Sequence, residues 1–291
     1  MSLPSLKEYC LPASADELVE VLQRYGDAAL VVAGGTFVHG LEARGLLAHV
    51  EALVDVRALQ LDGADVHDGA LRVGATATYA DLQRLQSARD GAAFGALDDA
   101  LACPPVQIRN VATVGGCVAA ACPFFDVPVA LATLDAVVVI HGPSGPREME
   151  LGEFHTGMFE NALEASEYVT AVRVPAAVPG TASAFIKLEG NANDLAIVNV
   201  AVRVHVDASG RCTDTRVIVG GGVGDTPVRS RAAERALMGA VLDDAALAAA
   251  GDAAGGDVEP MSDHRASGRY RRAMAGVLTR RALARARSRL S

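Results

Sequence analysis

The chain has 291 residues, a formal net charge of −9 and a hydrophobic content of 51%. This length allows two domains, or one domain with an added lobe, and the apolar content supplies a sizeable core. No uninterrupted apolar run of about eighteen residues occurs, and residues 1–11 contain no apolar signal core, so the sequence predicts neither a membrane span nor a signal peptide. We therefore expect a cytoplasmic protein.

The five cysteines and seven histidines have no metal-binding spacing. Cys117 and Cys122 lie near each other, but no further Cys-x-x-Cys accompanies them, which argues against an iron–sulfur site. We predict buried, reduced thiols and no metal ion bound to this chain.

Residues 262–291 hold nine arginines and one aspartate, a composition that suits a nucleic-acid-binding tail. However, Tyr270, Met274, Val277 and Leu278 recur between the arginines at helical spacing. This pattern favours an amphipathic helix packed on the acidic body or on a partner subunit, and we expect no nucleic acid as a partner.

In chain order, the first predicted element is a helix over 14–25, which a Ser14–Glu17 capping-box signature begins and a glycine ends. Apolar runs predict strands at 28–33 and 50–56, and together these elements form a small β-α-β unit. Short strands with turns follow from about residue 59. Strands are expected at 59–61, 70–75, 132–140 and 147–151, and helices at 79–85 and 95–101.

Two prolines and several small residues at 174–183 predict a domain boundary. Beyond this boundary, we expect three antiparallel strands followed by three helices. The strands are predicted at 184–188, 196–206 and 213–220, and the helices at 230–238, 244–250 and 267–289.

Two glycine pairs about eighty residues apart, within 31–38 and 113–117, are the main functional signal. Each follows a short run of β-branched or small apolar residues, and paired glycines after a strand let backbone N–H groups approach an anion. Thr36 and Thr113 add hydroxyl donors. We predict a pyrophosphate held between the two segments, as in a dinucleotide cofactor. The alternative for either segment alone is a plain turn. No intact Gly-x-Gly-x-x-Gly or P-loop motif occurs, which argues against a Rossmann domain or a nucleotide triphosphatase.

These two segments, together with the motifs at 124–131 and 187–202 and a closing signature at 270–283, resemble a known pattern. It is that of the FAD-binding medium subunits of the molybdenum hydroxylases, the family of xanthine dehydrogenase and carbon monoxide dehydrogenase. The similarity runs nearly from end to end.

The resemblance implies an α+β protein. A two-subdomain FAD-binding fold of the PCMH type would precede a C-terminal three-stranded antiparallel sheet with a helical bundle. The expected FAD-binding domain is 1–176, with subdomains of about 1–57 and 58–176, and the expected C-terminal flavoprotein domain is 177–291.

The resemblance also implies which residues bind a non-covalent FAD. Asp126 would accept a hydrogen bond from a ribose or ribityl hydroxyl, Val169 would line the flavin pocket, and Lys187 would lie near the polar edge of the flavin. The alternatives are a turn residue, a core residue and a solvated strand end. The full predicted set is Val31, Val32, Ala33, Gly34, Gly35, Thr36, Phe37, Val38, Thr113, Val114, Gly115, Gly116, Cys117, Asp126, Val169 and Lys187.

The chain departs from the family pattern in three places. Cys117 stands where the family usually has asparagine, and a thiol donates only weakly, so FAD placement or affinity would differ. Residues 189–191 replace a basic pair that usually follows Lys187. Thr36 stands where some relatives have histidine, so covalent flavin attachment at this loop is not expected.

The resemblance implies an oxidoreductase subunit without catalytic side chains of its own. The molybdenum cofactor would lie on a large molybdopterin-binding subunit and the [2Fe–2S] clusters on a small subunit. Electrons would pass through FAD to an acceptor such as NAD, quinone or O₂. Two alternatives remain open at this point: a self-contained FAD-dependent oxidoreductase, and a non-enzymatic assembly subunit that has lost FAD.

Overall fold

The structure, a computed structural model, describes residues 3–191 and 194–290. Within these ranges the chain forms a three-stranded sheet, a five-stranded sheet, a four-stranded sheet and a two-stranded hairpin. In the same ranges, no helix has the length and apolar character needed to span a bilayer.

The first sheet is small and parallel, with its strands in the order β1-β3-β2. Helix α1 packs against it and begins as the sequence predicts, because the Ser14 hydroxyl accepts a hydrogen bond from the Glu17 N–H at 3.2 Å. The second helix follows the first glycine pair. The elements are β1 (Glu8–Cys10), α1 (Ala15–Tyr25), β2 (Ala29–Val32), α2 (Val38–Glu42) and β3 (Ala52–Asp55).

The second sheet is antiparallel, and short helices surround it. Its strands run in the order β4-β5-β10-β6-β7, and β8 pairs with β9 as a separate hairpin. The strands are β4 (Ala64–His67), β5 (Ala70–Gly74), β6 (Val137–Gly142), β7 (Gly145–Glu150), β8 (His155–Gly157), β9 (Glu160–Asn161) and β10 (Tyr168–Val174). The helices are α3 (Tyr79–Arg84), α4 (Gly95–Ala102), α5 (Val106–Arg109), α6 (Val114–Ala119), α7 (Val127–Thr133) and α8 (Leu151–Phe154).

Two predicted strands in this region are wrong in position. Residues 59–61 do not lie in a strand. A 3₁₀ helix at Val56–Leu59, which the Asp55 carboxylate caps, ends within this segment, and Gln60 then turns the chain with a φ of 54°. The strand predicted at 132–140 begins only at Val137, because α7 continues to Thr133 and Asp135 has a φ of 54°.

The C-terminal sheet and its helices match the predicted order of three strands and three helices. A fourth strand of two residues adds one edge to the sheet. The elements are β11 (Thr181–Leu188), β12 (Val198–Val206), β13 (Cys212–Gly220), β14 (Val228–Arg229), α9 (Arg231–Leu237), α10 (Asp244–Gly256) and α11 (Gly268–Ser288).

The arginine-rich C-terminal segment is an amphipathic helix, as predicted. The buried face of α11, which includes Leu278 and Leu283, lies in one apolar core with β12, β13 and α10. Arg271 is fully buried and donates to Asp263 at 2.8 Å and to the Met261 carbonyl at 3.0 Å. The arginines therefore support the packing of the chain on itself.

A dense contact joins the C-terminal sheet to α4. The Ser183 hydroxyl donates to the Ala93 carbonyl at 2.6 Å and accepts from the Ala96 N–H at 2.9 Å. At the end of α11, the Arg289 guanidinium binds both oxygens of Asp99 on α4, at 2.9 and 2.7 Å. The two halves of the chain are thereby fixed relative to each other.

Candidate functional site

The first glycine pair lies where β2 ends and the chain turns into α2. Gly35 has a φ of 65°, a left-handed conformation that glycine adopts without strain, and no atom lies within 4 Å of the position a Cβ would take. Within the described ranges, the backbone N–H groups of Gly35, Thr36 and Phe37 donate no hydrogen bond. The loop therefore presents free donors beside open space.

The second glycine pair has a different geometry from the predicted one. It lies in the first turn of α6, where the Thr113 hydroxyl caps the helix by accepting from the Gly116 N–H at 3.2 Å. The N–H groups of Val114 and Gly115 donate to the carbonyls of Ala77 and Ala75, both at 2.9 Å. The expectation that this pair follows a strand is wrong, and its N–H groups already have partners within the chain. The contact of residues 113–117 with a pyrophosphate stays a prediction.

Packing explains why glycine is needed at these positions. A Cβ on Gly115 would lie 2.5 Å from the Ala75 Cβ and 2.8 Å from its carbonyl oxygen, and a Cβ on Gly116 would lie 2.7 Å from the Thr113 hydroxyl. These contacts are too short for any side chain unless the neighbours move. Gly115 therefore lets α6 pack closely against the residue that follows β5, and Gly116 leaves room for the Thr113 cap.

The fold brings the two predicted segments together. A Cβ on Gly34 would lie 2.0 Å from the Val111 carbonyl oxygen and 3.2 Å from the Ala112 Cα. The backbone of the first loop thus rests directly on the chain that leads into Thr113. The fold thus places the two segments, which lie about eighty residues apart in the sequence, next to each other. That they form one cofactor site stays a prediction.

An aromatic cluster extends this site towards the C-terminal sheet. The Phe37 ring lies 5.2 Å from the Phe125 ring, edge to face, and 5.8 Å from the Phe159 ring. Such pairs add about 0.5–1.5 kcal/mol beyond the area they bury. They fix the far end of the first loop against the segment that contains Asp126.

Asp126 and Lys187 form a buried ion pair, with side chains 8% and 7% exposed and a separation of 3.0 Å. The Lys187 ammonium also lies 3.0 Å from Glu189, and the Asn199 amide donates to the other Asp126 oxygen at 2.8 Å. Asn199 was not predicted as a site residue. It stands opposite Lys187 in the β11–β12 register, so a correct hairpin register would have indicated it.

Burial and the neighbouring charges shift the pKa values of this cluster in opposite directions. Burial raises the pKa of Asp126, although the Lys187 ammonium and the Asn199 amide oppose the change. Burial lowers the pKa of Lys187, but Asp126 and Glu189 outweigh it, and the net shift is upward. The ammonium is therefore held charged between two carboxylates, so Lys187 is not a solvated strand end.

Two further predicted residues point into the core of the second sheet. The Cys117 thiol is buried and donates to the Val114 carbonyl at 3.1 Å, and burial raises its pKa to about 12. Val169, on β10 opposite Ile140, lies in the same apolar cluster. The structure does not bring these two side chains to the first loop, and their contact with a cofactor stays a prediction.

The first loop fits an anionic group with several acceptor oxygens. Its three free N–H groups, the exposed Thr36 and the open space at Gly35 suit the close approach of a pyrophosphate to backbone donors. Among the described residues, no group of three or more histidine, cysteine, aspartate or glutamate side chains has the arrangement of a metal site. The first loop is thus a candidate site for the pyrophosphate of a nucleotide.

Two family models match the chain in succession. Residues 4–177 match the FAD binding domain in molybdopterin dehydrogenase, and residues 183–286 match the CO dehydrogenase flavoprotein C-terminal domain. The first match alone covers more than half of the chain. The chain belongs to the family of FAD-binding medium subunits of the molybdenum hydroxylases.

As a member of this family, the chain is an FAD-binding subunit and an oxidoreductase component. It is 32% identical to the carbon monoxide dehydrogenase medium chain of Afipia carboxidovorans, over 99% of both chains. It is 31% identical to the alpha subunit of the 6-hydroxypseudooxynicotine dehydrogenase complex of Paenarthrobacter nicotinovorans, over 98% of this chain and 96% of that protein.

Two solved structures resemble this chain in fold as well as in sequence. The structure superposes on a chain of carbon monoxide dehydrogenase from Hydrogenophaga pseudoflava with a TM-score of 0.90 and 31% identity, over 98% of this chain and 99% of that one. A chain of quinoline 2-oxidoreductase from Pseudomonas putida 86 gives a TM-score of 0.89 and 28% identity, over the full length of both. These matches confirm the α+β fold of two FAD-binding subdomains and a C-terminal sheet with helices.

Proposed function

We propose that this chain carries electrons within a multi-subunit molybdenum hydroxylase. The observation that carries the proposal is the similarity over nearly the whole length to the medium chain of carbon monoxide dehydrogenase. In this proposal, electrons come from [2Fe–2S] clusters on a small partner subunit, and the molybdenum cofactor lies on a large subunit. The final acceptor is external, such as NAD, quinone or O₂.

Within this proposal, the first loop binds the pyrophosphate of FAD. The free N–H groups of Gly35, Thr36 and Phe37 donate to the phosphate oxygens, and the left-handed Gly35 holds them on one side of the loop. The Thr113 segment, on which Gly34 rests, forms the opposite wall. FAD itself supplies the redox chemistry when bound, and this chain supplies its position and surroundings.

The Asp126–Lys187–Asn199 cluster has a positioning role in this proposal. Asn199 donates both to the Asp126 carboxylate and to the Phe125 carbonyl, so it holds the segment against which Phe37 packs. The direct contacts predicted from the resemblance, Asp126 with a cofactor hydroxyl and Lys187 with the flavin edge, remain part of the proposal. The cytoplasmic location, the non-covalent attachment and the domain bounds at 176 and 177 likewise stay predictions.

The experiment is purification of the affinity-tagged chain from its native cells and, separately, of the same chain expressed alone. The native preparation is expected to contain two further chains with molybdenum and iron, together with stoichiometric FAD. The lone chain is expected to be yellow, to contain neither metal, and to oxidise no organic substrate.

The two alternatives predict other results. A self-contained flavin oxidoreductase would turn over an organic substrate as a lone chain. An assembly subunit without FAD would be colourless in both preparations. Either result would contradict the proposed electron-transfer role.

A further inference from the structure

A cavity of about 300 Å³ lies on the C-terminal domain, between β13, β14 and α9, away from the glycine loops. Four arginines and two carboxylates dominate its lining: Arg216, Arg229, Arg231, Arg235, Asp214 and Glu234. Four guanidinium groups around one cavity give a local excess of two positive charges. The chain as a whole carries −9, so this excess runs against the net charge of the molecule.

Two of the four arginines are neutralised within the protein. Arg229 binds the buried Glu234 carboxylate through two nitrogens, at 2.8 and 2.9 Å, and Arg216 donates to Asp135 at 2.8 Å. These pairs fix the floor of the cavity. Asp214, the other carboxylate of the lining, accepts from Arg203 at 2.6 Å, so both lining carboxylates are already bound to other arginines.

Arg231 and Arg235 are the unpaired groups. Both are exposed, and neither side chain forms a hydrogen bond or ion pair with any described residue. They are four residues apart on α9, so they project from the same face of the helix. Like charges at this spacing repel, and this arrangement lowers helix stability unless an anion lies between them.

The helix that carries them is held firmly. The Ser230 hydroxyl caps α9 by accepting from the Ala233 N–H at 3.3 Å and donates to Asp257 at 2.8 Å. Glu234 and Leu237 are buried beneath the helix. The backbone positions of the two free arginines are therefore set before any ligand arrives.

We propose that this cavity is a binding site for a phosphate group of a small molecule. Two guanidinium groups offer ten N–H donors on one side of the cavity, since each carries five. A phosphate has enough acceptor oxygens to bind both arginines at once, whereas an acetate has two oxygens and pairs with a single fork. The volume suits a compact phosphate-bearing ligand.

The test uses the complete chain saturated with FAD, so that the glycine loop cannot bind the probe. Isothermal titration at low salt with inorganic phosphate and with pyrophosphate is expected to give saturable binding at one site. Acetate is expected to bind at least about tenfold more weakly, because it pairs with one arginine. Raising the salt concentration is expected to weaken binding through charge screening.

The decisive variant is the pair Arg231→Gln and Arg235→Gln, with Arg280→Gln and Arg281→Gln on the exposed face of α11 as the matched control. The first pair is expected to lower phosphate affinity by at least about tenfold, since hydrogen bonds to charged groups are lost. The control pair removes the same charge and is expected to leave affinity unchanged. An equal loss in both pairs, binding of acetate as tight as phosphate, or no saturable binding would each overturn the proposal.

Discussion

At the scale of single residues, Lys187 shows how burial changes what a charged side chain can do. The sequence contains one other lysine, at position 7, and this rarity singled Lys187 out. In the structure its ammonium lies between Asp126 and Glu189, at 3.0 Å from each. Removal of one partner from a buried ion pair is more costly than replacement of both, because a charge is left without compensation.

Lys187→Met is therefore expected to lower the free energy of unfolding by about 3 kcal/mol or more, since it leaves two carboxylates side by side. Asp126→Asn is expected to cost less, because Lys187 keeps Glu189, and the double variant should be more stable than Lys187→Met alone. Urea unfolding of the FAD-saturated proteins measures the three values. Equal stability of Lys187→Met and wild type would show that the cluster contributes nothing.

The predicted place of Lys187 near the flavin has a separate test. Loss of one positive charge disfavours the reduced, anionic flavin, so the midpoint potential of fully loaded Lys187→Met should fall by roughly 30 mV, equivalent to about 1.4 kcal/mol. Dye-coupled titration measures this potential. An unchanged value would place Lys187 away from the flavin.

Asp55 gives a prediction for acid stability. Its buried carboxylate accepts hydrogen bonds from the Arg57 side chain at 3.0 Å and the Tyr9 hydroxyl at 2.6 Å, and chiefly the Arg57 bond lowers its pKa from 3.8 to about 2. A lowered pKa in the folded state stabilises the protein above pH 3.8, and this contribution is lost as the pH falls towards 2.

Asp55→Asn is expected to cost about 1–2 kcal/mol at pH 7, a value reduced for the exposure of Arg57, and to flatten the loss of stability between pH 4 and 2. Thermal unfolding across this range measures both effects. The exposed Asp62→Asn is the matched control and should keep the wild-type profile. A wild-type acid profile in Asp55→Asn would contradict the assignment.

At the scale of secondary structure elements, the second glycine segment was predicted to follow a strand and is instead the start of a helix. A run of β-branched and small residues before Gly115 reads as a strand, whereas Thr113 caps a helix there. The choice depends on contacts with Ala75 and Ala77, about forty residues earlier, which no local pattern contains. The Ser14 cap, in contrast, was predicted correctly, because Glu17 three residues later and the apolar periodicity after it are local signals.

Gly115→Ala tests the packing role assigned to this glycine. The added methyl would lie 2.5 Å from the Ala75 Cβ, so we expect a loss of about 1–3 kcal/mol in stability even without FAD, and weaker FAD binding as a consequence. Gly152→Ala, which meets no atom within 4 Å, is the control. If Gly115→Ala loses FAD at full stability, the glycine serves the cofactor directly.

At the scale of the whole molecule, the family, the fold and the pairing of the two glycine segments could be predicted from the sequence. Ordered motifs over nearly the full length fixed the family, and hydrophobic periodicity located the C-terminal strands. Strand β10, the centre of the second sheet, was missed, although Tyr168–Val174 is a β-branched run. Its partners are distant in sequence, so its position depends on tertiary contacts.

The manner of FAD attachment is a property of the whole protein that one measurement decides. No histidine or cysteine lies within the first loop, 31–38, so we expect FAD to be held without a covalent bond. Acid precipitation of the purified protein should release all flavin into the supernatant, where absorbance quantifies it. Yellow colour retained in the washed pellet would contradict the prediction.

The close contact of Gly34 with the Val111 carbonyl also constrains the order of assembly. In the proposed function, one wall of the FAD site follows β2 of the first sheet, and the other leads into α6, which packs beside the second sheet. The proposed site therefore exists only after these two parts have docked. We therefore expect FAD, which in this proposal binds only the docked state, to shift the docking equilibrium towards the native arrangement.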